Sequence, residues 1–289
     1  MFVHGDNISQ KENGKIKYLD SKSKEFLKEI RVRYDAWKED NLAIVGPTST
    51  YSEKDAQIIK RRVELFNDYK DFLDQQHFAE HFDSRSNLHS SVLEEFIFFL
   101  FKDLVFDFSK NALIGKSHSF KDIFFKGDNY KNMLSNPFVR IEVKDHDFVI
   151  GVKIIGTFKT QNSDCETNIT FEIPVVAIEC KTYLDKTMLE GSSTAGEQLK
   201  IRNPNAMYYV VSERLKLTES VNLKKYKVDQ IYILRKQKNT DREFRYVDTY
   251  IQNPIYDDVV IHLFESVRSY LLADWQGKIA DGLQRGYLI

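Results

Sequence analysis

Cysteine is scarce in this chain of 289 residues: only Cys165 and Cys180 occur. Two are too few for a disulfide framework or a structural zinc site. The 5 prolines exclude a proline-rich arm or linker. No apolar stretch approaches the roughly eighteen residues that a membrane helix needs, so no membrane partner is expected. The opening Met1-Phe2-Val3-His4-Gly5-Asp6 lacks a basic region followed by an apolar one, which argues against a secretion signal and for a cytoplasmic protein. An excess charge is missing too. The 42 basic and 43 acidic residues leave a formal net charge of −1, whereas a protein that merely coats nucleic acid is usually strongly basic. Neutrality does not exclude DNA, because a metal-using nuclease also needs carboxylates.

What is abundant is apolar surface. Hydrophobic residues make up 42% and aromatics 13% of the chain, enough for a substantial core in one large domain or two modest ones. Residues 1–19 are polar and aperiodic and predict a loose arm. From Ser23 to Trp37, Phe26, Leu27, Ile30, Tyr34 and Trp37 recur at helical spacing. Gly46-Pro47 breaks the pattern, and Ser52-Glu53-Lys54-Asp55 resembles a capping box that opens a second helix with Ile59, Val63, Phe66, Tyr69 and Leu73 on one stripe. Lys60-Arg61-Arg62 rides on it as a solvated face or a phosphate contact. A third, strongly apolar helix follows serines suited to its N-cap and reaches about Leu104, with Val92, Leu93, Phe96, Ile97, Phe99 and Leu100 on one wide face. Glu94 and Glu95 flank that face on opposite sides, as partners of the helix dipole or as functional acids.

Gly115-Lys116-Ser117 suggests a phosphate loop, but Lys110 stands where that motif requires glycine. Residues 118–136 read as mixed, with a short helix. After Pro137 the chain becomes strand-like: Phe138 to Val143, a turn at Lys144-Asp145-His146-Asp147, and a second apolar strand from Phe148 to Ile155. A polar connector leads to Val175-Val176-Ala177-Ile178-Glu179-Cys180-Lys181, a buried strand with two charges at its end. Asp185 to Arg202 predicts a helix broken at Gly191-Ser192-Ser193. Strands are expected at Ala206–Val211, Gln230–Leu234 and Phe244–Ile251, with a basic loop between the last two, and a closing helix from Asp257 to Leu272.

Side chains alternate along a strand, so Glu179 and Lys181 share a face with Ala177. Asp147 opens the preceding strand, and an antiparallel pairing would bring it beside them. Two carboxylates so placed can hold Mg²⁺, and a lysine can stabilise charge on a phosphate. The plain alternative is an ion pair at a strand edge, because desolvating such charges is unfavourable unless they are paired.

The Asp147…Glu179-x-Lys181 pattern resembles the PD-(D/E)xK nuclease superfamily, with His146 in place of the usual proline. Three longer blocks resemble subunits of the BbvCI-type heterodimeric restriction enzymes. They are Ser84-Arg85-Ser86…His89-Ser90-Ser91-Val92-Leu93-Glu94-Glu95-Phe96, Asp147-Phe148-Val149-Ile150-Gly151 and Glu179-Cys180-Lys181-Thr182-Tyr183-Leu184-Asp185-Lys186-Thr187-Met188. The resemblance spans about residues 80–210. It implies an α/β, restriction-endonuclease-like core with a central mixed β-sheet flanked by helices: a helical region over 1–80 before an endonuclease domain over 81–289. It implies Asp147 and Glu179 as metal ligands, Lys181 as the catalytic lysine and Glu94 or Glu95 as a further acid. The implied activity is Mg²⁺-dependent, sequence-specific cleavage of double-stranded DNA, one strand per subunit beside a second, homologous nuclease subunit. The competing expectations are a structure-specific or repair nuclease of the same core, and a non-catalytic DNA-binding subunit. Arg85, Lys186 and Gln198, together with Arg235, Lys236, Lys238, Arg242 and Arg245 of the basic loop, are the DNA-contact candidates. Lys224, Lys225 and Lys227 suit phosphates better than bases.

Overall fold

The computed structural model describes residues 2–82, 86–163, 165–275 and 283–286. Five helices precede the sheet: α1 (Val3–Glu12), α2 (Ser21–Ala43), α3 (Asp55–Leu73), α4 (Gln76–His81) and α5 (Leu88–Phe108). Helix α2 starts where Asp20 accepts a hydrogen bond from Ser23 N at 2.9 Å, the usual satisfaction of a first-turn donor. The expected stripes of α2 and α3 are buried, except that Phe26 is only partly so. The capping box before α3 is half realised, with Ser52 N donating to Asp55 Oδ2 at 3.0 Å. Among the described residues no helix is long and apolar enough to cross a membrane.

The N-terminus is a helix and not a loose arm. Its polar composition conceals a tertiary anchor. The Glu95 carboxylate accepts from His4 N at 2.8 Å, Gly5 N at 3.2 Å and Tyr34 Oη at 2.9 Å, which satisfies donors that the first turn of α1 leaves free. The His4 ring lies within hydrogen-bond reach of Ser91 Oγ at 2.9 Å and Tyr69 Oη at 2.8 Å. A Cβ on Gly5 would stand 2.2 Å from Tyr34 Oη, so this packing requires glycine. Glu95→Ala is therefore expected to lower the unfolding free energy by about 2–3 kcal/mol, through unpaired buried donors. Urea denaturation checks it.

Helix α5 is buried all round, not on one face: Phe98, Phe101 and Leu104 are as enclosed as Phe96 and Ile97. A helix apolar on every side belongs inside a protein. On one side Phe96 stacks on Phe66 of α3, with ring centroids 4.3 Å apart. On another, Phe101 packs at 6.0 Å from Phe148 of the sheet. No serine caps it. Its N-cap is Asn87, left-handed at φ 56° and without a side-chain cap, a conformation that asparagine tolerates better than most residues.

Five strands form one mixed sheet in the order β1-β2-β3-β4-β5: β1 (Leu113–Phe125), β2 (Val139–Lys159), β3 (Glu166–Leu184), β4 (Met207–Leu215) and β5 (Gln230–Ile233). The first three pair antiparallel, and β3, β4 and β5 run parallel. The 17-residue α7 (Lys186–Arg202) makes the β3-to-β4 crossover that a parallel pair requires. The short α6 (Tyr130–Met133) and the closing α8 (Asp257–Leu272) complete the set.

Several local expectations change here. Residues 113–125 are strand, and the expected turn at 144–147 is continuous strand, because Ser117, His118 and Ser119 of β1 pair with His146, Asp145 and Lys144. Charged side chains are tolerated there because Lys144 and Asp145 face solvent, and an irregularity in the pairing between Gly115 and Ser117 leaves Asp147 without a partner on β1. Helix α7 runs unbroken through Gly191-Ser192-Ser193; Ser192 Oγ donates to Met188 O at 3.0 Å. Residues 244–251 are not strand, and a 3₁₀ turn, Arg242–Tyr246, occupies their start.

The sheet divides the core. Phe148, Ile150, Val176, Ile178 and Cys180 join the apolar cluster of α1–α5 and α8. Val149, Ala177, Tyr208 and Val210 face Leu189, Ala195 and Leu199 of α7.

Candidate active site

The antiparallel register sets the site. Phe148 pairs with Ile178 and Val149 with Ala177, so Asp147 comes up beside Glu179 one step further on. Lys181 Nζ then donates to Glu179 Oε1 at 2.6 Å and to Asp147 Oδ2 at 3.3 Å. Asp147 Oδ2 also accepts from Cys180 N at 2.9 Å, and Tyr208 Oη of β4 donates to Glu179 Oε2 at 3.3 Å. The side chains of Asp147, Glu179 and Lys181 are 25%, 20% and 24% exposed. They are reachable yet largely sheltered from bulk water.

Their fields are strong. Burial alone would lower the pKa of Lys181, but Asp147 and Glu179 outweigh it and hold the ammonium above its ordinary range. Burial, then Asp147 and Glu179, raise Tyr208 well above a free phenol. The helix adds a third acid. Burial, with the charge of Asp147, pushes Glu94 up to about 7, against the opposing pull of Lys116 and Lys181. Glu94 Oε2 is buried without a hydrogen-bond partner. A buried carboxylate oxygen with no donor, facing two more carboxylates, is an unfavourable arrangement unless a cation joins it.

The donor set is carboxylate oxygen, which suits a hard divalent cation such as Mg²⁺ and not zinc or copper. Among the described residues no three His, Cys, Asp or Glu side chains come together as a group that could hold a metal ion. Mg²⁺ does not require three, since it usually binds one or two carboxylates and keeps several waters.

The structure sorts the other candidate residues. Glu95 is not at the cluster; it faces α1. Lys186, on the first turn of α7, and Gln198, on its exposed face, are open to solvent. Arg235 leaves the DNA-contact set: it is fully buried, with Nε 3.3 Å from Glu213 Oε2 and Nη1 2.6 Å from Asn253 O. Lys236 pairs with Asp258, and Lys238 Nζ donates to Leu217 O at 2.6 Å. Arg245 donates to Thr240 O at 3.2 Å and Asn239 Oδ1 at 2.6 Å. Lys224, Lys225 and Lys227 are exposed. Arg62 is also interior, where it donates to the carbonyls of Asn41, Ile44 and Gly46 and to Asp103 Oδ2. Arg85 and the side chain of Arg242 lie outside the described residues. Sequence reasoning passed over Tyr208 and Lys116. Tyr208 looked like one more strand aromatic, and Lys116 belonged to a rejected phosphate loop.

Comparison with known proteins places this geometry. The chain is similar to a solved structure described as the native BbvCI A2B2 tetramer at low resolution. The TM-score is 0.67 at 18% identity, with 94% of this chain and 97% of the matched chain covered. At that identity the likeness speaks for the fold, and it includes the N-terminal helices that the sequence resemblance left out. No curated protein matches the chain. The family model of the Bpu10I restriction endonuclease matches residues 85–288, well past the stretch that carried the resemblance in sequence. The chain therefore belongs to the Bpu10I restriction endonuclease family.

Proposed function

We propose that this chain is the nuclease subunit of a type II restriction enzyme that hydrolyses double-stranded DNA with Mg²⁺, cutting one strand while a homologous subunit cuts the other. The observation that carries the reading is the partnerless Glu94 Oε2 buried beside Asp147, Glu179 and Lys181. Asp147 and Glu179 would hold the cation, with Glu94 as a further acid beside them. When bound, it supplies positive charge that acidifies water and offsets charge growing on the phosphate. Lys181 contributes the second positive charge, held in place by two carboxylates. Its ammonium donates to the phosphate oxygen as charge develops, or keeps the attacking water in line. Tyr208 fixes the rotamer of Glu179 through its hydroxyl. Cys180 N does the same for Asp147.

The two adjacent glutamates separate structure from chemistry. Glu94→Gln is expected to reduce cleavage by about 10²-fold or more with little change in stability, whereas Glu95→Gln should weaken the fold and spare the rate of the folded fraction. Single-turnover cleavage alongside urea denaturation distinguishes them. The A2B2 composition of the similar structure favours a partner. Supercoiled plasmid incubated with the purified chain and Mg²⁺, with and without proteins encoded beside it, tests the whole reading. Linear product with fixed ends only in the presence of a neighbour supports a half-enzyme. Discrete cutting by this chain alone would replace the two-subunit reading with a homodimer. Plasmid left intact in every combination would sink the catalytic reading.

A further inference from the structure

A second polar cavity opens next to the acidic cluster. Its volume is about 360 Å³, and Lys70, Asp74, His89, Ser90, Arg214 and Arg245 line it together with Thr182 and Tyr183. Its charges do not balance internally. Lys70, Arg214, Arg235 and Arg245 gather around Asp71, Asp74 and Glu213, with His89 as a further titratable base. Lys70 Nζ lies 2.7 Å from Asp74 Oδ1 and 3.2 Å from Glu213 Oε1, although the latter oxygen accepts no hydrogen bond. Four of these groups keep a buried polar atom with no hydrogen-bond partner, Arg235 at Nη2 and Glu213 at Oε1 among them. Arg214, only 2% exposed, has a buried Nε with no partner, and so does His89 at Nε2. His89 Nδ1 meets Asp74 Oδ1 at 3.1 Å. The other imidazole nitrogen, when protonated, is left to donate elsewhere. Burial first, and the neighbouring Arg214 second, lower the pKa of Arg245 against the opposing pull of Tyr250, Asp74 and Glu213. The positive end of the 21-residue α5 lies at the same place; its N-cap Asn87 gives no side-chain bond, and Ser86 Oγ accepts only from Leu88 N, at 3.2 Å.

We propose that this cavity is a phosphate subsite, which holds a phosphodiester of the DNA strand adjacent to the one being cut. The assignment rests on the nuclease reading above, and the chain path supports it. Thr182 follows Lys181 by one strand residue, about 3.3 Å. Ser90 precedes Glu94 by about one helical turn of 5.4 Å. The cavity and the carboxylate cluster are thus built on the same ends of β3 and α5, and one DNA strand crossing those ends can meet both. Arg214, His89 and Arg245 supply the donors, and Ser90 sits at the rim.

The test adds one negative charge at that rim. Ser90→Asp places an acid in the first turn of α5, where it favours the helix, so the variant should fold at least as well as wild type. Ser90→Asn is the neutral control, and Arg245→Gln removes a cation from the opposite wall. Binding of a labelled linear duplex in EDTA is followed by anisotropy across roughly 50–200 mM salt. Ser90→Asp and Arg245→Gln should each lower the slope of log K against log salt by about 0.9, the release expected for one phosphate, and weaken binding about tenfold at low salt. Ser90→Asn should do neither. In parallel, inorganic phosphate at constant ionic strength should raise the melting temperature of wild type more than that of Ser90→Asp. Unchanged slopes in both variants of a protein that still cuts DNA would overturn the subsite and leave the nuclease reading standing. Stabilisation by inorganic phosphate in a wild-type protein that neither binds nor cuts DNA would make this a site for free phosphate, which overturns the assignment to a DNA strand.

Discussion

Lys181→Ala is expected to lower plasmid cleavage by at least about 10²–10³-fold while duplex affinity in EDTA stays within about threefold of wild type. The reasoning starts from the cluster's charges. Without the ammonium, Asp147, Glu179 and Glu94 repel one another and the phosphate with no fixed positive group among them. A cation can still enter and restore part of the balance, so binding survives better than catalysis. What is lost is a charge held in place before the reaction, which needs no reorganisation as the transition state forms. Lys181→Arg should not restore full activity. A planar guanidinium presents a fork in place of a compact point charge and fits a pocket built for Nζ poorly. Single-turnover rates with saturating Mg²⁺ are the measurement, and wild-type rates in Lys181→Ala would remove Lys181 from the chemistry. Equal loss of binding and cleavage would instead make it a DNA anchor.

How far the sequence revealed this site depended on how local each signal is. Glu179 and Lys181 were legible because strand alternation is a backbone property, and the apolar run before them announced a strand. Asp147 was legible as a strand-opening acid, although the strand in fact continues behind it. Pairing with Ser117–Ser119 of β1 extends β2 through four polar residues, and no window around 144–147 contains that partner. Periodicity places Glu94 nearest Phe98 and Phe101 and so predicts it to be the more buried of the two acids, whereas Glu95 is the fully enclosed one. What separates them is α1, whose His4 and Gly5 backbone groups bind Glu95 from 90 residues away in sequence. The same non-local contact explains why a polar opening segment is helical.

The basic loop taught the converse lesson. Arg235, Lys236 and Lys238 are near neighbours with like charge, yet their surroundings differ completely. The strand ends at Ile233, and Arg235 turns inward to meet Glu213 of β4, which is itself fully buried. Charge runs report composition; only the register between β4 and β5 decides which member faces the interior. Lys236, with φ 46°, points to Asp258 at the surface. In a sheet whose edge strand has four residues, that turn follows too closely for alternation to predict its direction.

Arg235→Ala is accordingly expected to lower the unfolding free energy by about 3 kcal/mol, with the urea midpoint falling in proportion. Three losses combine. The guanidinium no longer balances Glu213, whose remaining partners are Lys70 at 3.2 Å and Arg214 at 3.6 Å. Asn253 O loses the donor at 2.6 Å that ties the segment before α8 to the sheet. A large buried volume empties as well. The surviving contacts of Glu213 keep the loss toward the lower end of what breaking a buried pair costs. Lys236→Ala and Lys238→Ala are the comparison. Both side chains are about half exposed, so each should change stability by less than about 0.5–1 kcal/mol. DNA affinity then separates the roles. Measured without urea at a temperature where Arg235→Ala is still folded, its duplex affinity and salt slope should match wild type, because this guanidinium is turned to Glu213 and Asn253 O and does not line the cavity that Arg214 and Arg245 open into. An unchanged urea midpoint joined to a lower salt slope would reverse that conclusion and return Arg235 to the DNA surface.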